Sequence, residues 1–367
     1  MPVIAASRPD GLGTRLLTIL HARAWSDYTN DKLVVFWESL ADVNYSENGV
    51  LLQADDYQDI FSSDSVFTDR ADIQVVPYNS FATASKVHLS QIFGRLSSMT
   101  KEEFFSIYNN CEVFIYDLPF PISFVDDLGT SAFNRNAKYW DAIGFADDVV
   151  EAARTLTSLS DGDSGYTAVH FRRGDMLNAL SRSSLSHLQN VGITQVFQRY
   201  LPVATAISTI SSKLSSTRRI LVCSEDREIS QRFQSLLGEE FHVASSEIFP
   251  HGGNKAALLD LLILANSSSL VTPFKSFFSE CAVSIGKCQA YNPGLDCVNI
   301  VKELDSYLES TGAAEMAQRK AILYSCGYMN MWHMPDDPFR SWLLSSAFAS
   351  DHDIAGQMTG LSSLSGK

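Results

Sequence analysis

The chain has few cysteines, a shortage of basic charge and no long apolar run, and each shortage closes off a class of protein. Six cysteines (Cys111, Cys223, Cys281, Cys288, Cys297 and Cys326) are spread over 367 residues with no CxxC pair. That pattern argues against a disulfide framework and for thiols that are mostly reduced and buried, with Cys288 and Cys297 close enough in sequence to bridge in an oxidising compartment. Lys and Arg number 28 against 42 Asp and Glu, a formal charge of −14. Such a surface repels phosphate polymers, so nucleic acid is not an expected partner and any anion must meet a local cluster. No apolar stretch approaches the ~18 residues of a membrane span, so no transmembrane segment is expected. The start, "MPVIAASRPDG", lacks the basic region and apolar segment of a secretory leader and reads as a first strand, from which a cytoplasmic location is expected.

What is present is globular: 45% hydrophobic and 19% charged residues. A single core rarely outgrows ~250 to 300 residues, so two domains are expected. "PVIAAS" (Pro2–Ser7), "KLVVFW" (Lys32–Trp37) and "IQVVPY" (Ile73–Tyr78) read as buried strands, and Leu16, Leu17, Leu20 and Ala24 fall on one face of a helix between the first two. The stretch from Phe81 to about Asp148 is aromatic and has no clear period. "TSLSDGDSGY" (Thr157–Tyr166) is the linker candidate. Strand and helix then alternate: "YTAVHFR", a helix from about Thr194 to Leu214, "RILVCS" (Arg219–Ser224), the helix "EDREISQRFQSLLG", "FHVASS", the helix "NKAALLDLLILANS" (Asn254–Ser267), "SLVTP" (Ser269–Pro273) and a helix from about Lys275. The fold class is therefore α/β with two Rossmann-like lobes, residues 1–156 and 157–330, and a tail at 331–367 whose "DDPFRSWLLSSAF" could form a helix packing back on the first lobe.

Several short motifs have ordinary explanations. The turn "DGLGTRL" (Asp10–Leu16) has the first two glycines of a dinucleotide fingerprint, Gly11 and Gly13, with Glu38 able to stand in for the ribose-binding acid; Leu16 occupies the place of the third glycine. A dinucleotide-dependent oxidoreductase, using a nicotinamide or a flavin, is thus an alternative reading, although such glycines more often turn the chain and open a helix N-terminus to a ligand. "DGD" (Asp161–Asp163) has the residue types of a metal-binding pair but lies in a Ser/Gly linker, and "DHD" (Asp351–Asp353) lies in an irregular tail; both read as solvated surface. No metal site is expected.

The cluster with most chemistry is "AVHFRRGDM", from Ala168. In a strand His170 and Arg172 share one side, with Val169, Phe171 and Arg173 on the other. Open parallel sheets bind ligands at the carboxyl ends of their strands, where this cluster falls. Arg172 offers a fork of donors matched to phosphate oxygens, whereas Arg173 is expected to form a structural ion pair with Asp175. Downstream, Asp260 sits in an apolar helix, where it can serve as a carboxylate receiving a guanine or as a charge favoured by the helix dipole. "PFKSFFS" sets Lys275 and Ser276 at a helix start, where a phosphate can dock and where Ser276 can also cap the helix.

Together these segments resemble the fucosyltransferase superfamily that contains the α1,6-, α1,2- and protein O-fucosyltransferases. His170, Arg172, Arg173 and Asp175 match its HxRRxD motif; "LVCSEDREI" is similar to its strand ending in an acidic pair, here Glu225 and Asp226; Asp260 to Ser276 and "GLGTRLLTIL" are similar to two further blocks. The resemblance spans the amino-terminal turn and most of the second lobe. It implies a GT-B fold with the two lobes facing a cleft, a GDP-fucose donor, inversion at the anomeric carbon and no metal or other cofactor. It places Gly11, Gly13, His170, Arg172, Glu225, Asp226, Asp260, Lys275 and Ser276 around the donor, with His170 and Asp260 on the guanine and Arg172 stabilising the departing diphosphate. The expected partners are a GDP-sugar and an oligosaccharide acceptor, favoured over a protein. The sequence departs from the family at Thr14, Lys275 and Met176, and "LNALSRSSLS" lacks the glutamate that looks like a base in the α1,6 branch. Asp10 is then the candidate general base, with base-free dissociative transfer as the other route. A nonenzymatic nucleotide- or sugar-binding protein on the same scaffold is a further alternative.

Overall fold

A computed structural model describes residues 2–8, 11–37, 60–61, 74–132, 137–140, 143–158, 165–214, 219–224, 226, 228–237, 242–245, 254–286 and 288–331. The first lobe contains β1 (Val3–Ser7), α1 (Leu12–Thr29), β2 (Leu33–Phe36), β3 (Gln74–Val76), β4 (Lys86–His88), α2 (Leu89–Leu96), α3 (Lys101–Tyr108), β5 (Val113–Tyr116) and α4 (Ala137–Trp140). Its five strands lie in the order β3-β2-β1-β5-β4, all parallel. The helix α5 (Asp147–Ser158) leads to the second lobe and lies along its helix 254–265, where Lys255 reaches Asp148 at 2.6 Å.

That lobe holds β6 (Thr167–Phe171), α6 (Gly174–Arg182), α7 (Leu185–His187), α8 (Ile193–Arg199), α9 (Val203–Lys213), β7 (Arg219–Ser224), α10 (Ile229–Leu237) and β8 (His242–Ser245). It continues with α11 (Asn254–Ala265), β9 (Ser269–Val271), α12 (Phe277–Ile285), β10 (Gln289–Tyr291), α13 (Cys297–Thr311) and α14 (Met316–Met331). The strand order is β10-β9-β6-β7-β8, again all parallel. Two Rossmann-like lobes, as the sequence implies, are what the chain forms. Parallel strands covered on both faces need apolar side chains on both sides, which is why β6 is buried at every position.

One expectation is corrected and two are extended. The helix expected over Thr194–Leu214 is two, α8 and α9, because Pro202 occupies the N-cap of the second and cannot continue the first. In α1, burial extends beyond the stripe of Leu16, Leu17, Leu20 and Ala24 to Thr14, Arg15, Thr18 and Arg23, because α1 is held between its own sheet and α12 of the other lobe. The six cysteines are all buried free thiols, in line with the reduced, buried state expected of them, and Cys288 and Cys297 are not bridged. The tail helix expected at 336–348 lies outside the described residues.

The lobes share one interior. A single apolar cluster runs from Ile4, Leu16 and Trp25 of the first lobe through Leu258, Leu261, Cys281 and Ala282 of the second. Its joint is the crossing of α1 and α12, where a Cβ on Gly13 would stand 2.6 Å from the Cα of Phe278. Only a glycine lets the two helix backbones come this close.

Candidate functional site

The order in which the parallel strands are connected reverses at β6/β9 in the second lobe and at β1/β5 in the first, and such switch points leave a crevice at the carboxyl ends of the strands. Residues 170–173 are the exit of β6 at this point. Alternation along the strand holds: Val169 and Phe171 enter the cluster with Leu201, Val203 and Phe233 on one side, and Ala168 enters the shared interior on the other.

His170 is 5% exposed, and its Nδ1 lies 2.7 Å from Ser279 Oγ, with its ring 5.2 Å from that of Phe278. The first turn of α12 therefore fixes the imidazole. His170 pairs in register with Cys223 of β7, whose thiol donates to the Asp260 carbonyl at 3.8 Å, so α11 passes beside the histidine. Asp260 is half-buried between Leu259 and Leu261, both fully buried.

Arg172 and Arg173 part company. Arg172 is half-buried at the mouth. Arg173 is 3% exposed, is the N-cap of α6, stacks 4.0 Å from the Tyr200 ring, and donates to the Leu201 carbonyl at 3.0 Å and to Glu303 Oε2 at 3.4 Å. Burial pulls its guanidinium down to about 10, with the Glu303 carboxylate acting against that fall. Its described carboxylate partner is thus Glu303 of α13, a residue that sequence reasoning did not reach; the side chain of Asp175 is outside the described set. Glu303 also accepts from the Val203 N–H at 2.8 Å and the Tyr200 hydroxyl at 3.1 Å.

Ser276 is the N-cap of α12, its Oγ accepting from the Ser279 N–H at 3.3 Å. Lys275 is exposed, and its backbone N–H donates to the Gln198 carbonyl at 2.8 Å. Asp226 is half-buried just past β7 and accepts from the Glu228 N–H at 3.1 Å. Gly11 is the N-cap of α1, with open space where a Cβ would stand, and Gly13 abuts Phe278. Asp10 and Glu225 lie outside the described residues.

The structure thus brings together His170, Arg172, Ser276 and the first turns of α6 and α12, and holds the start of α1 against α12 through Gly13. The leading N–H groups of a helix have no partner within it and carry partial positive charge, so this mouth suits an anion although the chain as a whole is acidic. Among the described residues no group of His, Cys, Asp and Glu is placed to hold a metal ion, and no helix is long and apolar enough to cross a membrane.

No protein-family model and no curated protein matches the chain. Among solved structures it is similar to POFUT1 in complex with GDP, at 14% identity and a TM-score of 0.46, over 80% of this chain and 98% of that one. It is also similar to NodZ alpha-1,6-fucosyltransferase soaked with GDP-fucose, at 13% identity and a TM-score of 0.46, over 78% and 92% of the two chains. Fucosyltransferase NodZ from Bradyrhizobium gives 14% identity and a TM-score of 0.44, over 78% and 93%.

Proposed function

We propose that the protein is an inverting glycosyltransferase that moves fucose from GDP-fucose to a hydroxyl of an oligosaccharide. The observation that carries the reading is the place of Arg172: it leaves β6 at the switch point of the second sheet, beside the first turn of α6 and a histidine fastened to α12. In this reading His170 and Asp260 receive the guanine, a carboxylate accepting together from a ring N–H and an exocyclic amine, and the diphosphate lies against Arg172 and the start of α12. As the glycosidic C–O bond breaks, its electron pair passes to the phosphate oxygen. A fixed guanidinium and oriented N–H groups stabilise that charge without reorganising. Those same groups supply positive charge at the diphosphate, so transfer is expected without a divalent ion. The motif resemblance supports fucose as the sugar, and a cytoplasmic location stays part of the proposal.

Titration calorimetry with GDP, ADP, UDP and NAD, in EDTA, tests it on the wild type and Arg172→Ala. Binding of GDP alone, lost in the variant while the thermal midpoint is kept, is the expected result. Binding of NAD with none of GDP overturns the reading in favour of the Gly11 turn.

A further inference from the structure

The first lobe carries a second polar cluster that the donor reading does not use. His88 is the last residue of β4 and Asp117 follows the end of β5, so both stand on the carboxyl edge of that sheet. His88 Nδ1 is 3.1 Å from Asp117 Oδ2, and the imidazole is 30% exposed. Asp117 is itself held: the Ser90 N–H donates to its Oδ1 at 2.8 Å, the Ser90 hydroxyl to its Oδ2 at 2.6 Å, and the Arg8 guanidinium to its backbone carbonyl at 2.6 Å. With Nδ1 turned to the carboxylate, ring geometry puts Nε2 on the opposite edge of the imidazole.

The same two segments supply an aromatic pair. Phe93 of α2 and Phe120 of the loop after β5 stack with centroids 5.6 Å apart, and they are 36% and 37% exposed. Phe120 is fixed from below by the Tyr116 hydroxyl, which donates to its carbonyl at 2.6 Å, and from the side by Phe277, whose ring centre is 5.6 Å away. Phe277 is the first residue of α12, directly after Ser276. The aromatic pair therefore borders the lobe junction, and the dyad lies on the same two segments.

We propose that this edge of the first lobe is the acceptor subsite, with His88 taking the proton of the attacking hydroxyl, Asp117 positioning the imidazole, and Phe93 with Phe120 carrying the apolar face of a pyranose. The C–H face of a sugar ring is apolar and slightly positive, which suits the negative face of an aromatic ring. In the step itself the hydroxyl oxygen forms a bond to the anomeric carbon as the bond from that carbon to the β-phosphate oxygen breaks. The electron pair leaves with GDP, and the hydroxyl proton passes to His88 Nε2 and then to solvent. Water can take the place of the sugar hydroxyl, so donor hydrolysis reports on the same proton transfer. This assignment rests on the GDP-fucose reading.

The experiment follows GDP release from GDP-fucose in water and with a panel of methyl pyranosides, beside GDP affinity by calorimetry. His88→Gln is expected to lower turnover ~100-fold at unchanged GDP affinity. Added imidazole should restore His88→Ala saturably, which a purely structural histidine would not show. Phe93→Ala is expected to raise KM for the pyranoside ~10-fold, the loss of one aromatic contact. GDP binding with His88→Gln as active as wild type overturns the assignment alone. GDP binding without turnover in water or with the panel also overturns it. A wild type that does not bind GDP overturns the donor reading and this one together.

Discussion

Gly13 and Phe278 meet backbone to backbone across the lobe junction: a Cβ on Gly13 would fall 2.6 Å from the Phe278 Cα and 3.0 Å from its nitrogen. Neither is the far end of a flexible side chain, so a methyl must push α1 and α12 apart. Gly13→Ala is expected to cost about 1–3 kcal/mol, as overpacking does, and to weaken GDP binding through the displaced first turn of α12. Gly11, with nothing within 4 Å of its Cβ position and a φ of −60°, should accept alanine at less than about 1 kcal/mol. Thermal unfolding of the two variants checks the contrast.

Lobes joined by a modest polar interface can unfold separately. Here the apolar cluster passes without a break from Trp25 to Leu261 and Ala282. Differential scanning calorimetry is therefore expected to show a single transition, with calorimetric and van't Hoff enthalpies in agreement. Two resolved transitions would refute the shared interior.

Adjacent arginines should give opposite phenotypes. Arg172→Ala is expected to abolish GDP binding and leave the thermal midpoint in place. Removing Glu303 strands the Arg173 guanidinium, 3% exposed, and takes the acceptor from Val203 and Tyr200. Glu303→Ala should cost about 3–5 kcal/mol, the range for breaking one side of a buried pair, and Glu303→Gln less because its amide oxygen still accepts. Denaturant midpoints of the three variants decide the matter.

Among the described carboxylates, Asp127 contributes to acid stability. The Lys101 ammonium, 2.9 Å away, together with the Gly129 N–H and the Tyr28 hydroxyl, lowers the Asp127 carboxyl from 3.8 to about 2. A carboxylate lowered on folding stabilises the native state above its unfolded pKa, and that contribution fades as pH falls from 3.8 to about 2. Asp127→Asn is expected to flatten the acid limb of the stability curve across that window. An unchanged limb in acid unfolding would remove Asp127 from the account.

How far the sequence could be read follows from where each signal lies. Strands β1, β2, β6 and β7 are apolar runs because both faces of a parallel sheet are covered, and they stand out in the chain. Strands β4 and β10 have three residues each at sheet edges, too few to carry a period. β5 is a buried four-residue run, "VFIY", lost among neighbouring aromatics, and with it went Asp117 and Phe120. The break between α8 and α9 was visible as Pro202 and was outweighed by the apolar spacing around it. At the site, the exit of β6 is local and legible. The carboxylate described on Arg173, that of Glu303, comes from 130 residues away, and no spacing in the sequence joins the two. His88 and Asp117, 29 residues apart, carry no spacing that joins them.

Helix α6 is gripped at both ends by inward-turned guanidinium groups. Arg173 holds its start to Leu201 and Glu303, and Arg319 of α14 holds its end, donating to the Leu180 and Ser183 carbonyls at 2.8 and 2.7 Å. Arg172 sits between the central strand of the sheet and this doubly anchored helix, so its backbone is immobilised when the chain folds rather than when an anion arrives. The entropy of ordering that backbone is lost before binding begins, and more of the attraction between guanidinium and anion remains as affinity.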